Sequence, residues 1–349
     1  MEPGQVNDGG VAGAHGTNPR VSVVIPTFNR ADDLSQALNA IVSQSIVPFE
    51  VIVVDDSLDD KTKKLLEAMS GAFSDRGSTL RYVKNPRERG VGISRNVGIE
   101  TAQGDIVQFT DDDVILQPGF FETVLKVYRN HPDAVGVQGH LIIDPEAYNP
   151  DSMYNTLRKM FCLSYTTHRG CRVLRSFKTT YPVKGKGADP CEWMSGCSQS
   201  FRREALGDIR NDERMKRYSA GDDLDISYNV WRHSGGRLYL SFDARVLHKE
   251  AQIARSSSNR MLYIDSIYSY YLFRKNVPRS VLSSAAYYWS RLGQLMLNLF
   301  EQVRGPSGPG RAVGRLQLKH LFRAQILWLS KRKEIAAGEL SFFDEYLDM

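Results

Sequence analysis

The chain has no run of 18 uninterrupted apolar residues, so a membrane-spanning helix is not expected. Cysteine is scarce: Cys162, Cys171, Cys191 and Cys197 are the whole complement. Their spacings match no zinc-binding pattern and no secretory signal is visible, so they read as reduced thiols of a cytosolic protein. The first 18 residues lack an apolar run and are rich in Gly, Asn and Ala, which reads as a disordered leader and not as a signal peptide. No internal repeat is present. Acid is scarce in one place: from Gln252 to Lys333, fourteen Lys and Arg face only Asp265 and Glu301. That segment carries +12 in a chain of formal net charge +5, so the rest must be acidic. A cationic segment beside an acidic body suggests an anionic surface as partner.

What is present, in 349 residues with 42% hydrophobic and 24% charged content, suffices for a sizeable core in one large domain or two. Val21–Pro26 is a β-branched run ended by proline, a buried first strand. Asp32 and Asp33 can cap a helix reaching about Ser45, with Leu34, Leu38 and Ile41 on one face. Further strands are expected at Phe49–Val54, Leu80–Val83 and Ile106–Thr110, with helices over Lys61–Met69 and Gly92–Ala102 between them. This alternation predicts βαβ units and a mostly parallel sheet, an α/β fold. Loop-rich chain follows to about Pro190, then strands at Gly236–Leu240 and Ala244–His248. Beyond Gln252 the pattern is helical and basic, broken at Gly305–Gly310.

Thr110-Asp111-Asp112-Asp113-Val114 closes the strand that begins at Ile106. In an open α/β sheet, ligands bind outside the carboxyl ends of strands. Carboxylates one residue apart at such an end can both reach a hard divalent cation, and Mg²⁺ commonly joins one or two carboxylates to substrate phosphates. The plainer alternative is an acidic turn with a helix cap. Asp55-Asp56-Ser57 ends the second strand in the same way. A carboxylate there can accept from a base N–H or a ribose hydroxyl, a role we assign to Asp56. Gly90-Val91-Gly92 opens a helix without the dinucleotide-binding spacing. Arg95, just inside that helix, can bind phosphate oxygens or pair with the acidic crevice. Asp222 and Asp223, in Gly221–Asp225, sit where a helix begins and are candidate general bases or plain caps. His248 after a strand is either a hydrogen-bonded side chain or a third metal ligand.

Taken together, these motifs resemble family 2 of the glycosyltransferases, with the GT-A fold. The matching stretches are Val23–Arg30, Val53–Ser57, Arg95–Gly98, Phe109–Asp113, Trp193–Cys197 with Phe201–Arg203, and Gly221–Asp225. The resemblance covers residues 21–250, within a catalytic domain expected over 19–251; a helical, cationic region at 252–349 stands outside it. It implies a nucleotide-diphosphate sugar as donor and Mg²⁺ or Mn²⁺ as cofactor. Asp111 and Asp113 would be the D-x-D pair, with Asp113 the direct ligand and His248 a further one. Thr27 and Asp56 would hold base and ribose. Pro26, Asn29, Arg30, Asp55, Arg95, Asp112, Trp193 and Gly196 fall in the same substrate-binding motifs. Asp223 would be the catalytic base, with Asp222 beside it where the family usually has glutamate. Processive synthases of the family carry Q-x-x-R-W after the base; Arg255–Met261 lacks it, so transfer of a single sugar, with inversion, is expected.

Two helices in the cationic segment, Ser280–Phe300 and Leu316–Lys333, interleave Trp, Phe and Leu with Arg and Lys. Basic amphipathic helices of this kind lie in bilayer interfaces, each cation near an anionic leaflet contributing about 1 kcal/mol. The expectation is peripheral contact with the inner face of the cell membrane, beside a glycan or lipid-linked acceptor; packing on the catalytic domain is the alternative. Nucleic acid would also suit a cationic stripe, but the catalytic motifs give it no role. Two other readings were weighed. A sugar-nucleotide-binding or nucleotidyltransferase protein would need no base beside the metal site. A receiver-like domain would leave the Asp triad and Gly221–Asp225 unexplained.

Overall fold

The computed structural model describes residues 19–144, 146, 148–249, 258–304 and 318–347. The leader expected over residues 1–18 and the breaker at Gly305–Gly310 lie outside the described residues.

Four strands build one half of the sheet: β1 (Val21–Thr27), β2 (Glu50–Asp55), β3 (Thr79–Lys84) and β4 (Ile106–Phe109). Helices α1 (Ala31–Val42), α2 (Lys61–Ser74) and α3 (Val91–Thr101) connect them. Their order is β3-β2-β1-β4, and all three pairings are parallel. Every residue of β1, β2 and β4 is buried, as continuous β-branched runs require when both faces are covered. Alternation divides β1 between two cores. Val23 and Ile25 pack with Leu34, Leu38 and Phe73 on one face, and Val24 packs with Val97, Phe109 and Phe201 on the other. Asp32 and Asp33 do not cap α1: they sit in its first turn, and Arg30 occupies the cap position without a side-chain bond.

The chain continues through β5 (Val114–Leu116), α4 (Phe120–Asn130), β6 (Ala134–Leu141), α5 (Met153–Met160), β7 (Tyr165–Thr167), β8 (Thr180–Pro182), β9 (Ala188–Cys191), β10 (Gln199–Arg202), α6 (Arg203–Leu206), α7 (Asp222–His233) and β11 (Arg237–His248). The sheet extends beyond β4 as β10-β6-β11-β5, with β9 also on β11. This half is mixed: β10 runs antiparallel to both β4 and β6, and β11 runs parallel to β6. The two strands expected between Gly236 and His248 are one strand, whose register against β6 shifts between Ser241 and Arg245.

The remaining helices are α8 (Ser258–Asn276), α9 (Val281–Arg304), α10 (Leu318–Ala337) and α11 (Asp344–Leu347). They form a third core around Tyr268, Tyr287 and Phe343, which also takes in Phe177, Met215 and Leu224 from the preceding chain. The helical region is therefore packed on the sheet domain. Asp225 in α7 accepts from Lys275 Nζ and Asn276 Nδ2, each at 2.7 Å, and so ties the start of α7 to the end of α8.

One close approach tests this packing. A Cβ on Gly98 of α3 would stand 2.2 Å from Cγ1 of Val24, a fully buried and stiff side chain. Alanine favours a helix over glycine by about 1 kcal/mol, and overpacking costs about 1–3 kcal/mol. At that separation the overlap should win, so Gly98→Ala should lower the urea midpoint of unfolding. An unchanged or raised midpoint would show that α3 can move off β1 freely.

Candidate active site

The parallel pairing brings the acidic motifs together. Thr27 is level with Asp55, and Val24 with Phe109, so β1, β2 and β4 end at one edge. The chain leaving that edge lines a cleft of about 560 Å³ with Pro26, Thr27, Arg30, Asp56, Arg95 and Asp111–Asp113. Gly196, Gly221, Asp222, Asp223 and His248 complete its lining.

His248 reaches the triad because β11 pairs antiparallel with β5, setting His248 opposite Val114. Its Nε2 lies 3.2 Å from Asp113 Oδ1. One ligand atom from each of Asp111, Asp113 and His248 lies within 4.8 Å of the others. Carboxylate oxygens and an imidazole nitrogen at that mutual spacing suit Mg²⁺ or Mn²⁺, for which Mg²⁺–oxygen bonds are about 2.0–2.1 Å. The donor set fits the implied cation. Asp112 points elsewhere: it accepts from Thr27 Oγ1 at 2.8 Å and Arg30 NH1 at 3.0 Å, tying the end of β1 to the triad. Burial pushes its carboxyl up to about 6 despite Arg30.

Arg95 lines the cleft and is engaged by two of its acids. Its guanidinium is buried, with NH1 2.6 Å from Asp222 Oδ2 and NH2 2.9 Å from Asp111 Oδ1. The ion-pair alternative is the one realised. Gly196 permits it: a Cβ there would stand 2.6 Å from Arg95 NH2. Helix α7 starts at Gly221, whose φ of 95° favours glycine and whose absent Cβ would crowd Leu272. The two acids that follow then separate in role. Asp222 is buried and held by Arg95. Asp223 is partly exposed, and its oxygens accept from the Gly196 N–H at 3.0 Å and the Leu224 N–H at 2.8 Å. Burial raises the pKa of both above the ordinary carboxylate value, with Arg95 opposing.

Asp56 lines the cleft and accepts from Asn85 Nδ2 at 2.6 Å, Ser94 Oγ at 3.0 Å and the Gly90 N–H at 3.3 Å. Burial raises its pKa against those donors. Three expected substrate contacts are not on the cleft wall. Asp55 is fully buried and accepts from the Ser57 N–H and Tyr82 OH, closing an Asx-turn at the strand end. Asn29 turns the chain at φ 56° and donates its N–H to Ser57 Oγ. Trp193 lies behind the wall, donating Nε1 to the Thr180 carbonyl and packing edge-on against Tyr181. Residues that the sequence reading did not nominate for the site also line the cleft: Phe28, Arg89, Arg217, Tyr218 and Arg260. Arg89 lies over the Phe28 ring, 4.3 Å from its centroid. Gly90 bridges to Arg217 across 127 residues, a pairing without a local sequence signal.

Replacing Arg95 by Met should leave Asp111 and Asp222 without their buried cation. Breaking a buried pair costs about 3–5 kcal/mol. The buried Asp222 carboxyl, already raised by burial and then without Arg95 opposing, would be held further above its unfolded pKa, so the loss should grow as pH rises and shrink in acid, where it protonates. Urea unfolding at acidic and neutral pH checks this; a small, pH-independent change would mean that water already screens the pair.

The model of the family described as "Glycosyl transferase family 2" matches residues 22–209, more than half of the chain. Among curated relatives, the glucosyl-dolichyl phosphate glucuronosyltransferase of Haloferax volcanii is 24% identical over 66% of this chain and 69% of its own length. The GalNAc(5)-diNAcBac-PP-undecaprenol beta-1,3-glucosyltransferase of Campylobacter jejuni is 32% identical over 37% of this chain and 40% of its own. Among solved structures, a mannosyltransferase from Pyrobaculum calidifontis in complex with GDP-Man and Mn²⁺ aligns with a TM-score of 0.51. It is 18% identical, over 95% of this chain and 86% of that one. GalNAc-T7 with UDP, GalNAc and Mn²⁺ aligns at 0.52 and 15% identity, over 79% of this chain and 54% of that one. These two likenesses bear on the fold, which is of the GT-A type. The chain belongs to glycosyl transferase family 2 and is a glycosyltransferase.

Proposed function

We propose that the enzyme moves one sugar from a nucleotide-diphosphate donor to a hydroxyl of a lipid-linked glycan, with inversion and with a divalent cation. The observation that carries this reading is the division of the two acids of α7: Asp222 is held by Arg95, and Asp223 lines the same cleft as the Asp111, Asp113 and His248 group.

Asp111, Asp113 and His248 would hold Mg²⁺ or Mn²⁺; when bound, the cation neutralises charge developing on the departing diphosphate as a Lewis acid. Asp56, with Thr27 at the neighbouring strand end, receives the nucleoside. Asp223 removes the proton of the acceptor hydroxyl as its oxygen bonds to the anomeric carbon, and the bond from that carbon to the diphosphate oxygen breaks on the opposite side. The two N–H groups on Asp223 aim the carboxylate, and its raised pKa makes it a stronger base than an exposed aspartate. A single displacement needs no enzyme nucleophile and inverts the carbon.

Mn²⁺ in both neighbouring structures supports the metal. The dolichyl phosphate and PP-undecaprenol in the names of two relatives support a lipid-linked acceptor, and hence peripheral work at an anionic membrane surface. No helix among the described residues is long and apolar enough to cross a membrane.

Excess chelator should abolish transfer, and Asp113→Ala should lower kcat at least about 100-fold, because the cation supplies several kcal/mol. Proton NMR of the first product should show the anomeric configuration opposite to that of the donor. Retained configuration, or full turnover in chelator, would overturn the inverting and the metal-dependent parts in turn.

A further inference from the structure

Helix α9 is inside out. The face it turns to the protein carries Ser283, Ser290, Arg291 and Gly293 beside Tyr287 and Leu297. Arg291 is buried there, donating to Ser266 Oγ at 3.1 Å and Gln325 Oε1 at 2.6 Å and pairing with Asp265. The opposite face exposes Leu282, Ala285, Leu292, Met296 and Phe300, with no charged side chain among them; Trp289 on the same face is 44% exposed, its ring packed on Phe161 and its Nε1 donating to the Met160 carbonyl at 2.9 Å. Leu282 is 63% exposed and Met296 50%.

The Arg291–Gln325 bond joins this helix to α10, whose outer arc exposes Leu318, Phe322, Ile326 and Leu329. Lys319, Arg323, Arg332 and Lys333 are exposed along the same side of α10. Each of these two helices thus presents an exposed apolar face, that of α10 with a cationic flank. A soluble monomer rarely leaves two such apolar helix faces in water. A two-fold contact of this face with its copy would bring the four cations of each chain together. Anionic headgroups over an acyl layer complement both features.

The surface also adjoins the cleft. Arg260 lines the cleft, and one turn further along α8 Tyr263 OH lies 3.1 Å from Nδ1 of His320, beside Leu318 and Phe322. We infer that the exposed faces of α9 and α10 insert into one leaflet of an anionic bilayer as an in-plane hydrophobic anchor, with the start of α10 at the cleft mouth. This builds on the membrane contact proposed above and changes its mode. Two of the segment's cations are engaged inside the protein and do not reach headgroups: Arg291 as described, and Lys275 with Asp212 and Asp225. Apolar insertion should therefore dominate, and binding should persist in salt.

The test uses the full-length chain and vesicles of phosphatidylcholine with or without phosphatidylglycerol. Wild type should sediment with the anionic vesicles and remain largely bound at 1 M salt, where the Debye length is about 3 Å. Leu292→Ser with Met296→Ser, and separately Phe322→Ser with Ile326→Ser, should each weaken partition at least tenfold. Both pairs should leave donor hydrolysis in solution unchanged, which separates failure of the anchor from failure of the catalytic reading. Lipids brominated along the acyl chain should quench wild-type tryptophan fluorescence, and Trp289→Phe should remove most of that quenching, a readout independent of the serine variants. Complete release in salt, unchanged partition of both variants, or absence of acyl-chain quenching would overturn the proposal. So would a dimer that the serine pairs convert to monomer without altering vesicle binding, since a second copy would then be what covers the face.

Discussion

The buried guanidinium of Arg95 is the constraint around which the catalytic edge is arranged. An isolated cation in that position would be prohibitively expensive, so the fold must bring acids to it. It does so from two distant places, the loop after β4 and the first turn of α7. Three consequences follow. Residue 196 must be glycine, because any Cβ would meet the guanidinium. The helix α7 must start where it does, at a left-handed Gly221. Asp222 is committed to the ion pair, and Asp223, one residue on, is turned to the cleft with two backbone N–H groups on its carboxylate. A buried pair of this kind adds little net stability over an apolar substitute, but it narrows the geometries open to its partners. For the proposed general base and metal-binding carboxylates, geometry is what matters most.

The helical layer contributes to the same edge. Lys275 and Asn276 at the end of α8 hold Asp225, so α7 is pinned by Arg95 at Asp222 and by α8 three residues later. Its tyrosine-rich core includes Leu224, the residue immediately after the candidate base. Docking of the C-terminal helices and placement of Asp223 are thus one packing problem, and any contact that α9 and α10 make with a surface is mechanically close to the reaction centre.

Much of this was legible in the sequence. Buried parallel strands announce themselves as β-branched runs, and their carboxyl ends share an edge, so Asp56 and Asp111–Asp113 could be grouped before any coordinates. His248 could be nominated as a strand-end residue, although the antiparallel β5–β11 pairing that brings it to Asp113 has no local signal. What failed was side-chain direction. Asp55 and Asp56 are neighbours on a strand end, yet one closes a turn inside the protein and the other lines the cleft. For Arg95 the sequence left phosphate binding and pairing with the acidic crevice both open, because its two acidic partners lie 16 and 127 residues away. Trp193 belongs to a recognisable motif but packs behind the wall. In α9 the apolar periodicity was readable, but the burial of its serines, Gly293 and Arg291 against the protein was not, because their partners come from distant helices.

The division of labour between Asp222 and Asp223 is the central claim, and the pH dependence of kcat tests it most directly. A base whose carboxyl is raised by burial works only above its shifted pKa, so activity should fall as pH drops through a midpoint above the ordinary value of 3.8. Asp223→Asn should lower kcat by about 100- to 10,000-fold and remove this acidic limb. Asp222→Asn should keep the limb and shift it to lower pH, because Arg95 would then be less neutralised beside Asp223. The opposite pattern, a limb lost with Asp222→Asn and kept with Asp223→Asn, would contradict the account.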